Sequence, residues 1–188
     1  MLRFVGIDPG TTTGLVIFGP NGEVLRAEAI KGEGKPPLDA KQLVSLENEL
    51  YKRLKPEDEV SIESPAVGTQ KGVTTGMIHG GLQSMVVRKG LAFNLVNPTW
   101  TKKYVGVTGW TGEKGSKRRL NDKEKKAAVK AAVLEHFNWT HKNHNVVDAY
   151  IIARIAYNLF RVREYLEPID TKPYQLEVIQ SILDQTEL

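Results

Sequence analysis

The chain contains 188 residues, of which 40% are hydrophobic and none is cysteine, and its formal net charge is +4. This length suits one domain with a buried core, and the lack of cysteine excludes disulfide bonds and thiol catalysis. The sequence has no run of about 18 apolar residues and no signal-peptide pattern at its N-terminus. We therefore expect an intracellular, cytoplasmic protein that does not bind membranes.

Hydrophobic periodicity and turn signals divide the chain into strands and helices. The predicted strands are Leu2–Asp8, Gly14–Phe18, Glu23–Ile30, Val60–Glu63 and Ala92–Val96. The predicted helices are Leu38–Leu54, Gly72–Arg88, Pro98–Tyr104, Asp122–Phe137, Asn145–Phe160 and Tyr174–Asp184, with a long loop at Val105–Leu120. This order predicts an α/β fold with a mixed five-stranded sheet, three antiparallel strands and then parallel ones, and helices on both faces. We expect a main domain at residues 1–160 and a C-terminal extension with a peripheral helix at 161–188.

Three acidic residues stand where predicted elements end or begin. Asp8 ends the first strand, Glu63 ends the fourth, and Asp148 lies in the first turn of a helix among apolar residues. Each has an ordinary structural explanation, since Asp often caps turns and acidic residues suit helix starts. Together, however, they indicate a shared site for Mg²⁺ or Mn²⁺, whose preferred ligands are carboxylate oxygens. Two such ions could activate water and stabilise the leaving oxygen in phosphodiester hydrolysis.

Positive charge is concentrated in one segment, residues 114–130. This segment holds eight basic and two acidic residues, so the rest of the chain carries a net charge of −2. A charge run is often only a solvated helix face. Here it begins in a Gly-rich stretch and accompanies the acidic set, which favours a nucleic-acid surface.

The ordered motifs resemble a known family. They are Gly6-Ile7-Asp8-Pro9-Gly10-Thr11-Thr12-Thr13-Gly14, then Ile62-Glu63, and then Asn145-Val146-Val147-Asp148-Ala149. This set resembles the RuvC-like Holliday junction resolvases of the ribonuclease H-like superfamily, including bacteriophage-type members, over roughly Leu2–Phe160. The resemblance implies a homodimeric endonuclease that uses two Mg²⁺ or Mn²⁺ ions. It would nick two strands of a four-way DNA junction symmetrically, in the cytoplasm of a bacterial cell or a phage-infected host.

The resemblance also implies site residues. Asp8, Glu63 and Asp148 match three catalytic, metal-binding positions, whereas the fourth, an Asp or His in the family, is Asn145 here. Either the Asn145 carbonyl binds metal, His144 substitutes for it, or Asn145 is a replacement that blocks cleavage. The expected DNA-binding residues are Lys102, Lys103, Trp110, Lys114, Lys117, Arg118, Arg119 and Lys123. The helix Gly72–Arg88 is equally well explained as a dimer face or as core.

Other functions fit parts of the sequence. Actin-like phosphotransferases also begin with a strand followed by Asp-x-Gly-Thr-Thr, although they need a second domain to enclose a nucleotide. A junction-binding protein without catalysis would keep the basic segment and lose the metal. A related nuclease acting on flaps, forks or RNA would share every feature named above.

Overall fold

The computed structural model describes residues 1–35, 37–65, 72–113 and 115–186. The strands are β1 (Arg3–Asp8), β2 (Thr13–Phe18), β3 (Val24–Ile30), β4 (Asp58–Glu63), β5 (Phe93–Val96), β6 (Trp110–Thr111) and β7 (Arg118–Arg119). The helices are α1 (Ala40–Arg53), α2 (Gly72–Arg88), α3 (Pro98–Tyr104), α4 (Asp122–Phe137), α5 (His144–Arg163) and α6 (Pro173–Thr186). Among the described residues, no helix is both long and apolar enough to cross a membrane.

The first five strands form one mixed sheet in the order β3-β2-β1-β4-β5. Strand β1 pairs antiparallel with β2, which pairs antiparallel with β3, while β1–β4 and β4–β5 are parallel. The buried Arg3 guanidinium donates to the Asp58 carboxylate at 2.7 and 2.8 Å and joins the starts of β1 and β4. The predicted sheet is therefore confirmed, including its antiparallel half and its parallel half.

Helices cover both faces of this sheet. On one face, α5 packs against Phe4, Val16 and Phe18. On the other, α1 and α2 pack against Val5 and Ile7 and their neighbours. Successive residues of a strand point to opposite faces, so the nearly continuous apolar sequence of β1 supplies both cores.

Two glycines allow α5 to lie almost directly on the sheet. A Cβ atom at Gly6 would stand 2.1 Å from the Ala149 carbonyl oxygen, and one at Gly14 would stand 2.0 Å from the Asn145 carbonyl oxygen. Real Cβ atoms do not approach backbone atoms this closely. Glycine at both positions therefore sets the depth of α5 on β1 and β2.

The region predicted as a loop, Val105–Leu120, contains a small hairpin of β6 and β7 in which Trp110 pairs with Arg119. Each strand has only two residues, too few for the alternating pattern that identifies strands in a sequence. The Leu120 amide donates to the Gly109 carbonyl at 3.0 Å and closes the hairpin base. The remaining predicted elements differ from the observed ones only at their ends.

The segment after α5 packs into the core. Val178, Ile179 and Ile182 of α6 are buried in the same cluster as the α5 side chains. Next to them, the Asp170 carboxylate accepts hydrogen bonds from the Arg154 guanidinium at 2.5 and 2.9 Å and from the Tyr104 hydroxyl at 2.8 Å. This buried network joins α3, α5 and the start of the C-terminal segment.

We predict that Gly6→Ala destabilises the protein by about 1–3 kcal/mol or more, because its methyl group must push α5 away from β1. Urea unfolding measures the effect. Gly109→Ala is the matched control, since a Cβ at Gly109 meets nothing within 4 Å. The control should change stability by no more than about 0.5 kcal/mol. Equal stability of the two variants would show that the close approach is not a constraint.

Candidate active site

The fold brings the three acidic residues to one edge of the sheet. Strands β1 and β4 are parallel neighbours with Ile7 opposite Ile62, so Asp8 and Glu63 follow side by side. Asp148 reaches the same place from the first turns of α5, which the glycines hold against β1. Asp8 is only 8% exposed, and Glu63 and Asp148 are half-buried.

Burial and mutual repulsion disfavour ionisation of these carboxyl groups. Burial, followed by the charges of Glu63 and Asp148, holds the pKa of Asp8 well above its usual range. Burial and the Asp148 charge raise the pKa of Glu63 to about 7, and burial raises the pKa of Asp148 to about 6. The Asp8 and Glu63 side chains lie close enough to affect each other's ionisation directly. Such a set accommodates positive charge readily.

Helix α3 supplies two groups beside the carboxylates. The Lys102 ammonium lowers the pKa of Asp8, Glu63 and Asp148, which opposes the effect of burial. The same ammonium donates to the Pro98 carbonyl at 3.0 Å, which holds it on the helix. The buried Thr101 hydroxyl lies 3.2 Å from Glu63 Oε1 and donates to it. Sequence reasoning missed Thr101, because no motif distinguishes it from other helical threonines.

The donor chemistry fits a hard divalent cation, since carboxylate oxygens are the ligands that Mg²⁺ and Mn²⁺ prefer. In the described part of the chain, however, no three acidic, histidine or cysteine side chains are grouped closely enough to hold a metal ion. The carboxyl groups thus interact electrostatically but do not form a closed coordination cage. Asp8, Glu63 and Asp148 are the residues that would hold a metal here.

The Asn145 side chain is directed to the β1–β2 turn. Its Nδ2 donates to the Thr12 carbonyl, and its backbone amide donates to the Asn143 side chain at 2.9 Å. An aspartate at this position would set a carboxylate oxygen against the Thr12 carbonyl. His144 lies at the rim, between the cleft beside Asp148 and a second cleft beside Asp8. Partial burial and the nearby Lys126 lower its pKa.

His79 on α2 lies behind Glu63, where its ring contacts the Glu63 backbone. It is 4% exposed, and its Nδ1 has no hydrogen-bond partner among the described residues. Burial lowers its pKa, so the ring is neutral at pH 7. The sequence does not single out His79, because its spacing from other histidines matches no metal motif.

The predicted DNA-binding residues occupy different environments. Arg118 donates to both carboxylate oxygens of Glu124, at 2.6 and 2.9 Å, whereas the Arg119 guanidinium lies 5.5 Å from the centre of the Trp110 ring. Lys103 forms an exposed ion pair with Glu177 of α6 at 2.6 Å. Lys117 and Lys123 are exposed, Lys102 stands beside the carboxylates, and Lys114 lies outside the described residues.

Comparison with solved structures identifies the fold. The structure of T. thermophilus RuvC in complex with Holliday junction substrate matches with a TM-score of 0.60 and 16% sequence identity, over 87% of this chain and 96% of that one. A second Thermus thermophilus RuvC structure matches with a TM-score of 0.61 and 18% identity over the same shares. No protein-family model matches the sequence, and no curated protein matches it significantly. The chain therefore has the RuvC-like, ribonuclease H-like fold that its motifs predict.

The raised carboxyl pKa values predict how the metal-free protein responds to pH. In the unfolded chain these carboxyl groups ionise near pH 4. Between about pH 4 and 7 the folded state therefore binds more protons than the unfolded state. This contribution to stability is present at low pH and is lost as pH rises towards the folded value of about 7 for Glu63. Glu63→Gln should therefore be more stable than wild type at pH 8, with the difference shrinking towards pH 5.

Thermal unfolding at both pH values measures this difference between the two proteins, and pH effects common to both cancel. Mg²⁺ should raise the Tm of wild type at pH 8 more than that of Glu63→Gln. Glu59→Gln, on the same strand, is the control and should follow wild type. If Glu63→Gln and Glu59→Gln behave alike, the repulsion among the three carboxylates is not significant.

Proposed function

We propose that this protein is a metal-dependent endonuclease that resolves four-way DNA junctions by paired, symmetric nicks. The observation that carries the proposal is the set of Asp8, Glu63 and Asp148, which meet at one sheet edge of a RuvC-like fold, where burial and the Asp148 charge raise the pKa values of Asp8 and Glu63. The matching RuvC is described in complex with a Holliday junction substrate. Asp8, Glu63 and Asp148 would hold Mg²⁺ or Mn²⁺, with Asn145 and His144 as further candidates.

The chain's own groups position the reaction. Thr101 donates to Glu63 and orients its carboxylate, while the Lys102 ammonium offsets negative charge at the point where a phosphate must approach. When bound, two divalent ions would supply an activated water and stabilise the leaving oxygen.

The basic residues near the site would hold the DNA backbone. Lys117, Arg119 and Lys123 are exposed and are the members of the stripe that we expect to meet phosphates. Arg118 is occupied by Glu124, so its principal role would be to hold the hairpin on α4. Lys103 would contact DNA only after its ion pair with Glu177 breaks. The proposed role of Lys114 in DNA binding rests on the sequence alone.

We also infer a homodimer, because paired nicks need two active sites. The α2 side chains Ile78, Leu82, Met85 and Val86 are buried in the core, so they cannot form the dimer face. The opposite side of α2 exposes Val73, Met77 and Val87 around Gly72, Gly76, Gly80 and Ser84. A Cβ at any of these three glycines would meet nothing within 4 Å, so a second α2 could approach closely across a two-fold axis.

We predict that Gly76→Glu converts a dimer to a monomer, because it places a charge in the centre of this apolar strip. Sedimentation velocity measures the change. Asn48→Glu, on the exposed side of α1, introduces the same charge elsewhere and should leave the dimer intact. A monomeric wild type, or a dimeric Gly76→Glu, would refute this interface.

The nuclease proposal is tested on three substrates: a four-way junction, a flap and an RNA–DNA hybrid, each with Mg²⁺ or Mn²⁺. Wild type should nick the junction in opposite strands. Asp8→Asn should reduce cleavage by more than about 100-fold, since loss of outer-shell partners alone costs about 10–100-fold. It should still bind the junction, because it removes negative charge from a surface that faces phosphate. Asp184→Asn, an exposed residue of α6, is the control.

Failure of wild type to cut any of the three substrates would refute the nuclease proposal. Preferred cleavage of the flap or the hybrid would retain the metal-dependent chemistry and reject the junction as substrate. Loss of junction binding in Asp8→Asn would contradict the role of Asp8 in a phosphate-facing metal site.

One observation favours a second candidate, a junction-binding protein with weak or no cleavage. Asn145 occupies a position at which the family has an Asp or His, and its side-chain amide donates to the Thr12 carbonyl. If Asn145 limits catalysis, Asn145→Asp should raise the junction cleavage rate. If Asn145 instead stabilises the β1–β2 turn of an active enzyme, Asn145→Asp should cleave no faster and unfold at a lower temperature than wild type.

A further inference from the structure

A cleft of about 510 Å³ opens beside Asp148. The hairpin of β6 and β7 forms one wall and the first half of α4 the other, while α3 and the start of α5 close its end. Its lining includes Lys102, Trp110, Arg119, Lys126, Val129 and Asp148. The cleft is thus continuous with the carboxylate site but is built mainly from residues outside it.

The lining combines apolar surface with positive charge. Val107, Val129 and Val147 provide an apolar floor. Four basic side chains and only two acidic ones border the cleft, which makes it attractive to anions. A flat apolar space edged by cations matches a nucleotide, which has an aromatic base and a charged phosphate.

Trp110 forms the open wall of the cleft. Its side chain is 51% exposed, which is unusual for so large an apolar group. Arg119 lies opposite Trp110 in the hairpin, with its guanidinium over the ring at 5.5 Å from the ring centre, as a cation–π contact. The Trp110 ring and the Arg119 guanidinium are both planar groups on which a nucleobase can stack.

The hairpin is held in this position by Arg118. Adjacent strand residues point to opposite sides, so Arg118 faces away from Arg119. Its guanidinium binds both carboxylate oxygens of Glu124. Glu124 also accepts from the Asn121 amide at 2.8 Å, which completes the capping box of α4. The stacking surface is therefore fixed to the N-terminus of α4 before any ligand binds.

We propose that this cleft takes one unstacked nucleobase of the DNA, adjacent to the phosphate that is cut, and that contact with this base sets the sequence preference of the enzyme. The position of the phosphate rests on the proposed function; the stacking site itself does not. The volume lies within the range of about 300–1,000 Å³ for small-ligand pockets, too small for a duplex. Bases leave the stack most easily where pairing is already broken, as at a branch point.

A double-mutant cycle tests this proposal. Junctions are prepared with a single abasic site at each nucleotide around the crossover, and binding is measured without metal, so that cleavage plays no part. On the intact junction, Trp110→Ala should weaken binding by about 5- to 150-fold, whereas Trp110→Phe should retain most of it. At one position, the abasic site should weaken wild type by a similar factor and leave Trp110→Ala unchanged. Tyr165→Ala, which removes an aromatic side chain that is 98% exposed elsewhere, should have no effect.

Cleavage gives the second readout. Wild type should cut junctions at different rates when the base at that position is varied, and Trp110→Ala should reduce those differences. Additive effects of Trp110→Ala and the abasic site at every position would overturn the proposal. If the binding effects of Trp110→Ala and the abasic site are non-additive at one position but wild type cleaves no junction, the stacking site is supported and the nuclease function is refuted.

Discussion

The close contact of α5 with β1 and β2 is the constraint on which the rest of the structure depends. Gly6 and Gly14 leave no side chain between helix and sheet, so the α5 backbone lies where their Cβ atoms would be. The same contact carries Asp148 to the end of β1, where Asp8 lies. Any larger residue at these glycines would move the helix and with it one of the three carboxylates.

Bringing carboxylates together in this way has an electrostatic consequence. Asp8 and Glu63 are neighbours because β1 and β4 are parallel and end at the same edge. Burial and repulsion raise their pKa values, while Lys102 and Thr101 partly compensate from α3. The site is thus a region of the fold where full ionisation is unfavourable without added positive charge, and this is the physical basis for proposing a divalent metal.

A second set of contacts joins the basic segment, residues 114–130, to this site. The Glu124 carboxylate caps α4 and binds Arg118, so one side chain fixes both the helix start and the hairpin beside it. Arg119 and Trp110 then face the cleft that ends at Asp148. The basic stripe is therefore not a uniform phosphate surface: some of its members position the hairpin, and others remain open to a ligand.

The sequence alone determined the order of elements, the mixed sheet and the three acidic positions, because apolar runs in β1 and β4 and the helical period of α5 are local properties of the chain. It also showed that Asn145 departs from the pattern of the family that the motifs resemble, although not where its side chain points. Only the tertiary structure decided which of the described basic side chains form ion pairs, because Arg118 of the hairpin reaches Glu124 of α4 and Lys103 pairs with Glu177 of another helix. It likewise decided that Ile78 and Leu82 belong to the core and that α6 packs into it. The hairpin of β6 and β7 could not be predicted either, because its two-residue strands are too short to show a period and contacts with α4 hold them in place.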